Sequence, residues 1–226
     1  MMRNTIAYLI IFLTWLSLTL TAPAQGVAWT QWGSTNGNSA AGTIDTVNVT
    51  YAGEVYNYST INNQGVNYWI PTATFTNSLA PIPPNFSDVI TLSKNGICTL
   101  NFSTPVNGLL MDILSLGSIN KPLVPSTYTF NVPYTILSSG GDYWVPSGIG
   151  SNGTNCNFTA LDNYTLSGVE GSGCILFSGQ VSSLSWTVGN AESYSGFTIG
   201  VVSVPEPGTL AVLGLGALSL LRFRKQ

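Results

Sequence analysis

Two stretches of the chain, residues 6–20 and 209–221, are almost continuously apolar and uncharged, and between them the pattern changes to short strand-forming segments separated by Gly, Asn, Ser and Pro. In that middle part Tyr128, Phe130, Val132, Tyr134 and Ile136 alternate with Thr127, Thr129, Asn131, Pro133 and Thr135. Leu184, Trp186 and Val188 alternate with Ser183, Ser185 and Thr187, and Phe197, Ile199 and Val201 share one face of a third such segment. Successive side chains of a strand point to opposite faces, so a period of two predicts strands packed on one side and solvated on the other. Further strands are predicted over residues 45–52, 54–60, 89–92, 97–103, 109–116, 157–166 and 174–179. No helical period stands out between the two ends. About ten short strands, with turn residues roughly every 8 to 12 positions, predict an all-β fold over residues 25–203: a single β-sandwich, jelly-roll-like in type.

The first apolar run follows Arg3 and leads into Thr21, Ala22, Pro23 and Ala24. A positive start, an apolar segment and an Ala-x-Ala site are the three parts of a secretory signal peptide, so residues 1–24 are read as a leader cleaved after Ala24. Left uncleaved, the same run would be a membrane anchor, which leaves the Ala-x-Ala site unexplained.

The second run is preceded by Val204, Pro205, Glu206, Pro207 and Gly208 and followed by Arg222, Phe223, Arg224 and Lys225. Pro207 suits the first turn of a helix, where its missing N–H costs nothing, and Glu206 suits the positive end of the helix dipole. The 13 residues of the run make a transmembrane helix about 20 Å long, short against a hydrocarbon core of about 30 Å. The basic cluster marks the cytoplasmic side and orients the middle domain outward.

This triplet of signals over residues 204–226 resembles the PEP-CTERM sorting segment. The resemblance implies a Gram-negative host with exopolysaccharide-linked export. It implies an exosortase that recognises Pro205, Glu206 and Pro207, next to Val204, and processes the tail near them. The chain would then lie in the inner membrane through its C-terminal segment before processing, and end on the cell surface or in the extracellular matrix. Residues 87–92, 100–106 and 196–200 are loosely similar to segments common in the ectodomains of such proteins, which implies a β-sandwich and no particular activity.

Charged residues make up 7% of the chain, against about 25% in an average globular protein, so amides and hydroxyls carry the polarity. Between Gln25 and Val204 two bases, Lys94 and Lys121, face eight acids, a net charge of −6. Nucleic acid needs clustered Lys and Arg to replace its counterions, so it is excluded as a partner.

The chain has no histidine, which excludes a Ser-His-Asp or Cys-His relay and any imidazole metal site. Two of the eight acids would suffice for a glycosidase, but no spacing singles out a pair, and the domain is expected not to be an enzyme. Asp88, Asp112, Asp142 and Asp162 could contribute to calcium binding; with no Asp-x-Asp-x-Asp loop they read more simply as turn formers, and no metal or cofactor is expected. Of the three cysteines, Cys156 and Cys174 are candidates for a disulfide closing a loop of 18 positions, although pairing of Cys98 with either stays open. Cys98 shares a strand face with Leu100 and Phe102, which favours burial as a small hydrophobe.

Aromatic residues are the remaining feature: Trp29, Trp32, Tyr56, Tyr58, Tyr68, Trp69, and the Tyr143 and Trp144 pair beside Gly140, Gly141 and Asp142. Flat rings in polar surroundings are platforms for sugar rings, and Tyr143 and Trp144 are the candidate carbohydrate contacts. Trp186, alternating with serines, is expected in the core. The sequence reading is an exported surface or matrix protein with a structural or adhesive role, the alternative being a carbohydrate-binding module acting on exopolysaccharide.

Overall fold

The structure, a computed structural model, describes residues 26–84, 88–119 and 124–203. The signal peptide read over residues 1–24 and the C-terminal span lie outside these residues. Among the described residues no helix is long and apolar enough to cross a membrane, and the one helical element is a single 3-10 turn at Thr72–Thr74.

Fourteen strands are described in chain order. They are β1 (Gly26–Trp29), β2 (Gln31–Asn36), β3 (Ser39–Ile44), β4 (Val47–Ala52), β5 (Ile90–Leu92), β6 (Gly96–Asn107) and β7 (Leu109–Leu116), followed by β8 (Ser126–Phe130), β9 (Tyr134–Gly140), β10 (Asn157–Ala160), β11 (Thr165–Val169), β12 (Gly171–Phe177), β13 (Gln180–Gly189) and β14 (Ser195–Ser203). All pairings are antiparallel. One sheet runs β1-β14-β7-β12-β9, with β5 also on β14; the other runs β10-β11-β8-β13-β6-β4-β3-β2. The domain is therefore an all-β, two-sheet sandwich. Strands β6, β7, β8 and β9 fall alternately in the two sheets.

The main core lies between the sheets. Tyr51, Leu100, Tyr128, Phe130, Leu184 and Trp186 come from one, and Ile90, Met111, Ile113, Ile175, Phe177 and Phe197 from the other. Trp186 is buried as expected, its ring 5.0 Å from that of Phe197 in an edge-on arrangement. Cys98 belongs to this core and accepts a 3.1 Å hydrogen bond from the Tyr51 hydroxyl.

β7 is buried at every position because its sheet is covered on both sides. On the outer side, the long connection between β4 and β5 lays Trp69 and Phe75 against Leu114, and Ala80 against Leu110 and Cys174. That covering segment is where the sequence reading needs correction. A strand is predicted over residues 54–60, but the chain there turns, touching the sheet through the Thr60 to Val89 bridge, the Tyr56 N–H to Thr91 carbonyl bond and the Ser59 hydroxyl, which accepts the Thr91 N–H. The Glu54 carboxylate accepts the N–H groups of Ser93 and Lys94, so it anchors a loop instead of continuing a ladder.

Two further predicted strands are each two. The alternation through Tyr128 and Ile136 breaks at Pro133, which has no N–H for a ladder, and the chain crosses there from β8 in one sheet to β9 in the other. The span 157–166 folds back on itself as the β10–β11 hairpin, its turn held by the Asp162 carboxylate on the N–H groups of Tyr164 and Thr165.

Cys156 and Cys174, the candidate disulfide pair, are not joined in the structure. All three cysteines are free buried thiols. Cys174 sits on β12 among Ala80, Leu110 and Val202, with Asp112 opposite it in the register. Cys156 precedes β10, where the charges of Glu170 and Asp142 add to burial in pushing its thiol up to about 11.

Candidate functional site

Tyr143 and Trp144 stand on the loop that leaves β9, and the sequence dictates their position through Asp142. Its fully buried carboxylate accepts the N–H groups of Trp144 (2.9 Å) and Val145 (3.0 Å) through one oxygen and the Ser172 hydroxyl (3.0 Å) through the other. Desolvation raises its pKa, and these hydrogen bonds pull the other way. Gly141 is required beside it, since any side chain there would collide with the Val145 carbonyl. The turn thrusts the next two rings outward, leaving Tyr143 39% and Trp144 45% exposed.

Other aromatic rings gather around them. Trp144 stacks on Tyr68 at 5.4 Å and 19°, and meets Tyr194 edge-on at 4.8 Å. Tyr143 contacts both Tyr68 and Trp144 edge-on, and Tyr58 contacts Tyr194 at 6.0 Å. These five rings border a cleft of about 550 Å³ whose polar wall is formed by Ser115, Glu170 and Glu192. The size lies within the range of small-molecule sites.

The acids are held by a buried relay. The Ser115 hydroxyl donates to Glu170 (2.6 Å), the Ser115 N–H donates to the Ser172 hydroxyl (2.8 Å), and that hydroxyl donates to Asp142. Ser115 and Glu170 both adopt positive φ, 52° and 50°, a conformation costly for residues with side chains and often kept where function needs it. Burial raises the pKa of Glu170 above its ordinary value. Glu192 is pushed up to about 9, first by burial and then by the Glu170 charge, against the Gly117 N–H that favours its ionised form. One Glu192 oxygen, Oε1, is buried without a hydrogen-bond partner.

Sequence reasoning found the two exposed rings but not the carboxyl pair. Glu170 lies in the β11–β12 turn and Glu192 in the β13–β14 connection, so only the folded sheets bring them to one cleft. The one local signal is Glu170 between Val169 and Gly171, an acid at a tight reversal between strands. Of the other named aromatics, Tyr58 and Tyr68 join the cleft, Trp32 and Trp69 are buried, and the Trp29 indole donates to the Ile82 carbonyl. Asp88 accepts the N–H groups of Trp32 and Asn63, and burial raises the pKa of Asp112 well above the ordinary carboxyl value. Among the described residues no group of three or more Cys, Asp and Glu is placed to hold a metal ion.

Val204, Pro205, Glu206 and Pro207 lie outside the described residues. A family model described as the PEP-CTERM protein-sorting motif matches residues 203–225. The chain carries a PEP-CTERM sorting motif. The motif implies recognition by an exosortase and export of the chain to the cell surface. The PEP-CTERM match begins at Ser203, the last residue of β14. No curated protein and no solved structure matches the chain.

Proposed function

We propose that this PEP-CTERM protein is an adhesive component of the surface or matrix of a Gram-negative cell, and that it adheres by binding carbohydrate, exopolysaccharide in particular, in the aromatic cleft. The observation that carries the reading is the half-exposed Trp144 ring, fixed by Asp142 and backed by Tyr68, beside carboxyl and hydroxyl groups in one concavity. A sugar offers C–H faces that pack on a ring and hydroxyls that bond to the polar wall.

Delivery follows from the tail. A 13-residue apolar segment is a strained span, so the chain rests in the inner membrane until processing near Pro205, Glu206 and Pro207 releases the domain. The domain binds without turning its ligand over. A glycan array probed with the exported protein tests this. Saturable binding, lost in Trp144→Ala while unfolding remains cooperative, supports the reading. Adhesion of cells with no glycan bound would leave a purely structural role, and release of cleaved sugar would make the domain a hydrolase.

A further inference from the structure

We propose that the cleft selects sugars bearing a free ammonium group, of the unacetylated amino-sugar class, with the sugar ring on Trp144 and the ammonium against Glu170 and Glu192. The inference rests on the carbohydrate reading and adds the charge of the ligand to it. Every ionisable group in the described lining is an acid or a phenol. Glu170 and Glu192 form the wall, and Tyr58, Tyr68, Tyr143 and Tyr194 surround it. Behind the wall Asp142 adds a third carboxyl, linked to Glu170 through Ser172 and Ser115. Cys156, whose thiol is pushed up to about 11, brings no charge at neutral pH. The one base among the described residues, Lys94, reaches toward Glu54 at 3.9 Å in a different groove.

Three features therefore call for a cation. Aromatic faces attract one through their quadrupoles. The buried Glu192 Oε1 has no donor in the described protein, and an ammonium brings up to three. Two neighbouring carboxyls repel each other when ionised, and a positive charge beside them removes that penalty. A neutral sugar supplies donors but brings no charge that would let Glu192 ionise beside Glu170.

The proton balance gives the inference its own signature. In the free protein Glu192 holds its proton up to about pH 9, and an ammonium ligand favours the ionised form. Binding releases a proton, so affinity for the amino sugar rises with pH until the ligand amine itself deprotonates. Affinity for neutral sugars lacks this rise.

The test uses three β-1,4-linked oligomers that differ only at C2: glucosamine with a free amino group, its N-acetylated form, and glucose. Calorimetric titration of the exported protein should find the free-amino oligomer about tenfold or more tighter than the other two, the discrimination that a charge-assisted hydrogen bond supports. Glu192→Gln and Glu170→Gln should each lower the ratio of free-amino to neutral-oligomer affinity and flatten its pH dependence. Equal binding of all three, or a preference untouched by both substitutions, would overturn the inference and leave the carbohydrate reading standing. No binding of any oligomer, or of any glycan on the array, would overturn both.

Discussion

Replacing Asp142 with Ala removes the group that fixes Trp144 without touching the ring itself. Three hydrogen bonds are lost, from the Trp144 N–H, the Val145 N–H and the Ser172 hydroxyl. A hydrogen bond to a charged acceptor contributes about 1.5–3 kcal/mol, but the two backbone donors lie at partly buried positions and regain water, which leaves a net loss of about 2–3 kcal/mol. At about 2–4 °C per kcal/mol for a domain of this size, Tm falls by about 4–12 °C. Asp142→Asn keeps an acceptor oxygen for both backbone donors and should lose less than about 1 kcal/mol. Urea unfolding gives the stability and glycan titration of the same samples gives the site. Asp142→Ala should lose binding by about tenfold or more, a larger effect than its stability loss produces in a protein that stays folded. If Asp142→Ala unfolds at the wild-type midpoint and binds as well as wild type, the loop is not held by this carboxylate and the construction of the site is wrong.

Glu192 has an ordinary carboxyl pKa of 4.5 and is pushed up to about 9 in the folded chain, so between those values the folded state holds a proton that the unfolded state lacks. Its contribution to stability is complete below the lower value and is lost as pH rises toward the higher one; urea titrations across that range should show the decline, and Glu192→Gln should flatten it. Thiol alkylation should label none of the three cysteines readily in native exported protein and all three after unfolding without reductant, whereas two protected thiols after unfolding would mean a disulfide. Glu206→Ala should leave signal cleavage intact and retain the precursor in the membrane. In wild-type cells, mass spectrometry of surface protein should find no peptide from residues 218–222, and finding one would mean that the tail is a plain anchor.

The parts of the fold legible in the sequence are those where burial writes a local pattern. β7 is predicted with its observed bounds because six of its eight residues are large and apolar, β13 is recognised by Leu184, Trp186 and Val188 alternating with polar residues, and β14 by Phe197, Ile199 and Val201 on one face. The alternation across β8 and β9 was read correctly for facing but not for connectivity, since inward residues of both strands point into the same core from opposite sheets. β2 and β3 were missed because Gly, Ser, Ala and Thr fill them and only Trp32, Ala40 and Ile44 are buried; their ladder to β4 is carried by backbone hydrogen bonds. The site divides the same way. Tyr143 and Trp144 are flagged by the glycines and Asp142 beside them. Glu170 and Glu192 become a pair only through long-range contacts, which one sequence does not record.

The central claim is that ligand rests on Trp144 at the acidic wall, and the indole N–H resonances of the exported protein test it most directly. With a binding oligomer added, the Trp144 signal, assigned through Trp144→Phe, should shift saturably, while those of Trp32, Trp69 and Trp186, all buried, stay fixed. Saturable binding that leaves the Trp144 resonance in place would put the ligand elsewhere on the domain and contradict the account.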